Sequence, residues 1–124
     1  MTIAEAIQAA DTLHPNNYTQ AEKARWLSIL DGVIKTEIID THKDGEDVVF
    51  NGYDRDTPVN TVLLVGAPYD NIYVKWLCAQ YNLAEDEIDI YNNSMEVFNN
   101  AFEQFERAYN RAHMPLGTHF KYFS

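Results

Sequence analysis

Apolar side chains recur along most of this chain at steps of three and four, the spacing that lines one face of an α-helix. "MTIAEAIQAADTLHP" opens with Thr2 three places before Glu5, the pairing of a capping box, and continues through Ile3, Ile7, Ala10 and Leu13 until Pro15 blocks the helix. "YTQAEKARWLSILDGVIKTEIIDTH" repeats the device with Thr19 and Glu22. Leu27, Leu30, Ile34 and Ile38 form its stripe, Trp26, Ile29 and Val33 widen it, and the pattern predicts a helix of about 20 residues. Gly32 inside this run costs ~1 kcal/mol relative to Ala, and close approach of another helix is the expected reason.

The pattern then breaks. Residues 43–68, "KDGEDVVFNGYDRDTPVNTVLLVGAP", carry Asp-Gly, Asn-Gly and two prolines, all turn formers. "DVVF" and "TVLLV" have the composition of short strands, which a β-hairpin across this long acidic loop would pair. Loops of such length inside compact domains are usually functional, so a partner contact is expected here.

From Tyr69 onward the helical spacing returns. Val74, Leu77, Tyr81, Ala84, Ile88, Tyr91, Met95, Phe98, Phe102, Phe105, Tyr109 and Ala112 alternate steps of three and four, an unbroken heptad seam. At ~1.5 Å per residue this is one rod of roughly 60 Å, or a bent pair if "YNLAEDE" makes a corner near residues 82–85. Within the seam "YNNSMEV", "FNNAFEQ" and "FERAYNR" align, which places Ser94, Ala101 and Ala108 in one column of small residues that admits a neighbouring helix. Asn92, Asn93, Asn99 and Asn100 occupy positions where coiled coils carry charge; uncharged amides are cheaper to bury, so Asn92 and Asn99 are expected to meet another helix or subunit. Pro115 ends the helix, and "GTHFKYFS" alternates Phe120 and Tyr122 in the manner of an extended segment that adds to a partner.

The elements add up to an all-α, mainly helical single domain over residues 1–124. It has three to four helices, a long C-terminal helix or helix pair, a loop insertion at about 43–68 and an extended tail at 115–124. Eight Tyr and six Phe supply a core. The 19 acidic residues against nine basic ones give a net charge of −10, which argues against a tight grip on nucleic-acid phosphates or anionic lipid. A lone Cys78, no basic and apolar leader in "MTIAEAIQAADTL" and no run of ~20 apolar residues make a cytoplasm the expected compartment and a membrane span unexpected.

Catalytic signatures are missing from the pattern. Phosphate-cradling glycine loops, G-x-S-x-G and zinc-type Cys and His spacing do not occur. His14, His42, His113 and His119 stand in separate segments without i, i+4 partners, so no metal and no cofactor are expected. "DRDTPVN" gathers Asp54, Asp56 and Asn60, but Val59 and Val65 stand where a calcium loop needs Gly and Glu. Cys78, beside Leu77, reads as a small buried hydrophobe. The aromatic seam lacks the cationic groove of a single-strand binder, since the column beside it is Asp89, Glu96 and Glu103.

Two stretches carry a resemblance. "YTQAEKARWLSILDGVIKTEI" resembles the opening of small phage head-to-tail connector, or adaptor, proteins, and "LLVGAPYDNIYVKWLCAQYNLAEDEIDIYNNSMEVFNNAFEQFERAYNRAHMP" resembles their second half. The likeness spans residues 18–115, with "PYDNIYVKWL" and "YNNSMEVFNNAF" its most specific parts. It implies a mostly helical, non-enzymatic subunit that forms a homo-oligomeric ring between the portal and the tail proteins, in the virion and, during assembly, in the host cytoplasm. On that reading Asn92, Asn99, Ala101, Ala108, Phe120 and Tyr122 are candidates for subunit or partner contact. Glu96 and Glu103 are then candidates for a channel wall that repels DNA phosphates. The residues 43–60 would reach the portal or the next subunit. The competing expectation is an acidic helical phage inhibitor that imitates DNA and occupies a host nucleic-acid-binding protein.

Overall fold

A computed structural model describes residues 1–116, and the expected tail contacts of Phe120 and Tyr122 lie outside the described residues. Both capping boxes form. Thr2 Oγ1 accepts from Glu5 N at 3.1 Å while Glu5 Oε1 accepts from Thr2 N at 2.9 Å, and helix α1 runs Ile3–Leu13. Thr19 and Glu22 make the same exchange at 3.1 and 3.3 Å, and α2 runs Gln20–Glu37. Each box satisfies backbone N–H groups that a helix start leaves without intrahelical partners, which fixes where the helix begins. The stripe Leu27, Leu30, Ile34 and Ile38 is buried as expected, but Ile29 and Val33 are 46% and 45% exposed, so the buried face of α2 is narrower than its sequence suggests.

Helix α3, Ile72–Ala84, and helix α4, Ile88–Ala112, resolve the choice between rod and bent pair. Glu87 N donates to Asn82 O at 2.9 Å and Asp86 N to Leu83 O at 3.0 Å, with Asp86 in the left-handed region at φ 60°. These bonds close α3 by a Schellman motif, whose left-handed residue Asp tolerates better than most side chains do. The heptad seam therefore folds back on itself into an antiparallel helix pair. Trp76 meets Phe98 with ring centroids 5.2 Å apart, and Asn82 Nδ2 donates to Ser94 Oγ at 2.9 Å.

Helix α3 is the central element. Ile72, Tyr73, Leu77, Ala79 and Tyr81 are fully buried, with α1, α2 and α4 packed around them. Ala6 and Ala10 give α1 a flat face against this core, and the last residue of its predicted stripe, Leu13, is left 72% exposed.

The long loop forms no hairpin. Among the described residues there are no strands, and single turns of 3-10 helix at Ile39–Thr41 and Gly45–Asp47 follow α2. Val62 makes an isolated bridge with Thr2 rather than with "DVVF", and Leu63 N donates to Met1 O at 2.9 Å. Two strands alone are marginal, and in the second apolar run Leu64 N and Val65 N donate to side chains of α2 and α3. Leu63 and Val65 are 3% and 2% exposed, so the loop covers the core instead of projecting from it.

Gly32 is not a helix-crossing point. A Cβ there would lie 3.7 Å from Phe50 Cε2, an ordinary contact with a loop ring. Gly45 differs, because a Cβ would collide with the backbone of Ile39 and Asp40. Gly32→Ala should thus raise stability by about 0.5–1 kcal/mol through helix propensity alone. Gly45→Ala should lower it, and paired thermal or urea unfolding of the two variants checks both signs.

Candidate functional site

The outer side of α4 holds Asn92, Asn99, Glu96 and Glu103, half of the candidate residues singled out by sequence. Asn92 and Asn99 are exposed, as are Asn93 and Asn100, so none of the four is part of the core. Glu96 and Glu103 are exposed on the same helix, and Glu103 pairs with Arg107 one turn on at 3.6 Å, a contact too open to water to fix either side chain firmly. Ala101 and Ala108 lie elsewhere. Ala101 is half-buried against the core, and Ala108 lines a cleft with Leu64, Gly66 and Tyr69. The small-residue column thus admits α3 and the returning loop of its own chain, because a tight helix hairpin needs small side chains where its backbones approach.

Exposed aliphatics share α4 with the asparagines, Ile88 on the same side and Ile90 and Val97 on the opposite one. Ile88, Ile90 and Val97 are each about half exposed, at 47%, 49% and 52%, beside the buried Phe98 and Phe105. Sequence spacing placed Ile88 in the buried seam, whereas it is exposed, and it missed the flanking Ile90 and Val97. Their signal was present, since Ile90 and Val97 stand seven apart, outside the seam.

What holds this surface in place is a set of polar clusters that the sequence reading did not identify. Asp31 on α2 is fully buried. Its Oδ1 accepts from the Tyr73 hydroxyl at 2.6 Å, and its Oδ2 accepts from the Tyr53 hydroxyl at 2.6 Å and from Leu64 N at 3.1 Å. The Tyr73 oxygen in turn accepts from Val65 N at 2.8 Å. Burial pushes the Asp31 carboxyl above its ordinary value, against these hydrogen bonds. Burial and the neighbouring carboxylate push Tyr53 and Tyr73 far upward, which keeps both as neutral donors. A signal for Asp31 existed in the sequence: it sits four after Leu27 and three before Ile34, inside the apolar stripe.

Asp11 on α1 joins three elements. It accepts from Lys23 Nζ at 2.8 Å, from the Tyr81 hydroxyl at 2.8 Å and from Asn16 Nδ2 at 3.0 Å. Burial raises its pKa, but the hydrogen bonds from Lys23, Tyr81 and Asn16 together outweigh burial and hold the carboxyl below its ordinary value. No buried side-chain nitrogen or oxygen among the described residues lacks a partner.

At the far end of α4, His42 is buried, with Nδ1 2.6 Å from Ile38 O and Nε2 2.9 Å from Asn110 Oδ1. His113 stacks on Tyr109 at 3.8 Å and sets its Nδ1 2.7 Å from Asp44 Oδ2, a bond that holds the Asp44 carboxyl below its usual range. Lys43 N donates to Met114 O and Leu116 N to Thr41 O, so the chain leaves α4 along a fixed line. Among the described residues no group of three or more His, Cys, Asp or Glu is arranged to hold a metal ion. No helix among them is long and apolar enough to cross a membrane.

No protein-family model matches the chain, and neither curated proteins nor solved structures give a match.

The two carboxylates make opposite pH demands. Asp11, with a depressed folded value, contributes stability that is present above its ordinary 3.8 and lost as pH falls through the folded value. Asp31, with a raised value, loses stability as pH rises through the window between its ordinary and folded values. Asp11→Asn should therefore lower stability at about pH 7 and shrink the difference between about pH 7 and pH 3, measured by urea unfolding. Asp31→Asn should cost about 1–3 kcal/mol, since an amide has one acceptor oxygen where three donors converge.

Proposed function

We propose that this chain is a non-enzymatic structural subunit, a head-to-tail connector of a tailed phage or prophage that assembles as a ring between portal and tail. The supporting observation is the outer surface of α4. Along one 25-residue helix, exposed Asn92 and Asn99 share one side with exposed Ile88, exposed Ile90 and Val97 lie on the opposite side, and an acidic row runs between them. Such a mixture suits repeated contact with identical neighbours, because apolar atoms gain from burial and amides enter an interface at lower cost than charges. The resemblance across residues 18–115 supports the same reading, as does a fold in which α4 is a long, accessible edge. In this reading Glu96 and Glu103 face the channel and repel phosphates, so DNA passes without adhering. The portal and tail are the partners, and the virion is the site of action.

An acidic inhibitor that imitates DNA shares the charge, and the exposed row Asp89, Glu96 and Glu103 is its best support. The half-exposed aliphatics favour the connector, since a phosphate mimic has no use for them.

If the chain comes from a tailed phage or prophage, mixing it with that phage's portal protein should give a ring-sized complex by sedimentation. Absence of that complex, together with capture of a nucleic-acid-binding host protein, would favour the inhibitor. Asn92→Lys with Asn99→Lys should abolish the complex while leaving the melting temperature of the free chain nearly unchanged, because both side chains are exposed.

A further inference from the structure

A second surface lies across α4 from the asparagines. Helices α1 and α4 wall a groove floored by α3, about 330 Å³ in volume, with Leu13, Val74, Cys78 and Val97 as its apolar lining and Lys75 its one charged residue. Leu13 and Val97 are 72% and 52% exposed, so the walls stand open to water. The Lys75 ammonium makes no ion pair among the described residues, in a chain whose net charge is −10.

The opposite edge of α4 has complementary chemistry. Asn92, Asn99 and Glu106 fall seven apart in one exposed column, with Ile88 at its start. Glu106 makes no ion pair among the described residues. At ~100° per residue this column and the groove wall of Ser94 and Val97 lie roughly 170° apart around the helix axis. Two different surfaces on opposite sides of one element are what a head-to-tail contact requires, and such contacts form a ring when the rotation between copies closes and an open filament when it does not.

We propose that the groove of one copy receives the Asn92–Asn99–Glu106 edge of the next copy's α4. Ile88 and the two amides cover the apolar lining, and Glu106 meets Lys75. The contact rests on the connector reading for its ring and adds which two surfaces meet. It leaves the Glu96 and Glu103 row between them, free to face the channel.

The chain's single cysteine lies in the groove, which makes the contact directly testable. Asn99→Cys places a second thiol on the opposite edge. Mild oxidation at about 1 mM chain, enough to populate even a weak contact, should give a ladder of covalent oligomers. Peptide mapping should show position 78 joined to position 99. Lys75→Glu should reduce the ladder severalfold, and adding Glu106→Lys to that variant should restore it. A ladder absent, joined only between like positions, or indifferent to Lys75→Glu would overturn the contact. Portal binding without the ladder would remove this contact and leave the connector reading standing; the ladder without portal binding would do the reverse.

Discussion

A buried carboxylate with three donors from three places in the chain organises this molecule. Asp31 lies in the middle of α2, yet its partners are Tyr53 and Leu64 from the long loop and Tyr73 from α3. Taking a carboxylate out of water is costly unless its lone pairs are met, so the loop has few alternatives to lying across α2. That position turns Leu63 and Val65 inward and brings the loop back to the start of α1, where Ile3 N donates to Thr61 O at 3.0 Å. The loop thereby becomes part of the core, and its second apolar run, engaged by Met1, Asp31 and Tyr73, is not available to pair with the first.

Asp11 does for the first helix what Asp31 does for the loop. Lys23 and Tyr81 converge on it from α2 and α3, and the Lys23 ammonium also sits 5.6 Å from the Tyr81 ring centroid. Just past the same end of α1, His14 bonds both Glu85 oxygens, at 3.0 and 3.1 Å. Clamped at these points, α1 cannot rotate to bury Leu13, which is left as one wall of an open groove. Helix α4 is held differently: α3 is the helix it packs against, along an aromatic row from Phe98 to Tyr109, and its end is tied down through His42 and His113. More than half of its circumference therefore faces outward, which is why the proposed contacts gather there.

Much of this was legible in the chain. The two capping boxes set the helix starts because they depend on side chains three residues apart, and the aromatic seam marked the buried side of α4 because helical period alone decides which residues share a face. The candidate surface was half legible. Asn92 and Asn99 lie outside as separate from the core, whereas Ala101 and Ala108 turned out to serve the chain's own packing. Small residues at heptad spacing record that something approaches closely, and they carry no mark of whether it belongs to the same chain.

By itself, then, the sequence determined the helices, their inner stripes and the acidic exterior, all of which follow from local hydrogen bonding, period and charge. Tertiary structure decided the rest. It chose the fold-back at Asp86 over a continuous rod, placed the loop through Asp31, and left Leu13, Val97 and Ile88 in water on two sides of one helix. Those outcomes depend on groups far apart in the chain competing for the same donors and the same core space, and no local pattern records who wins.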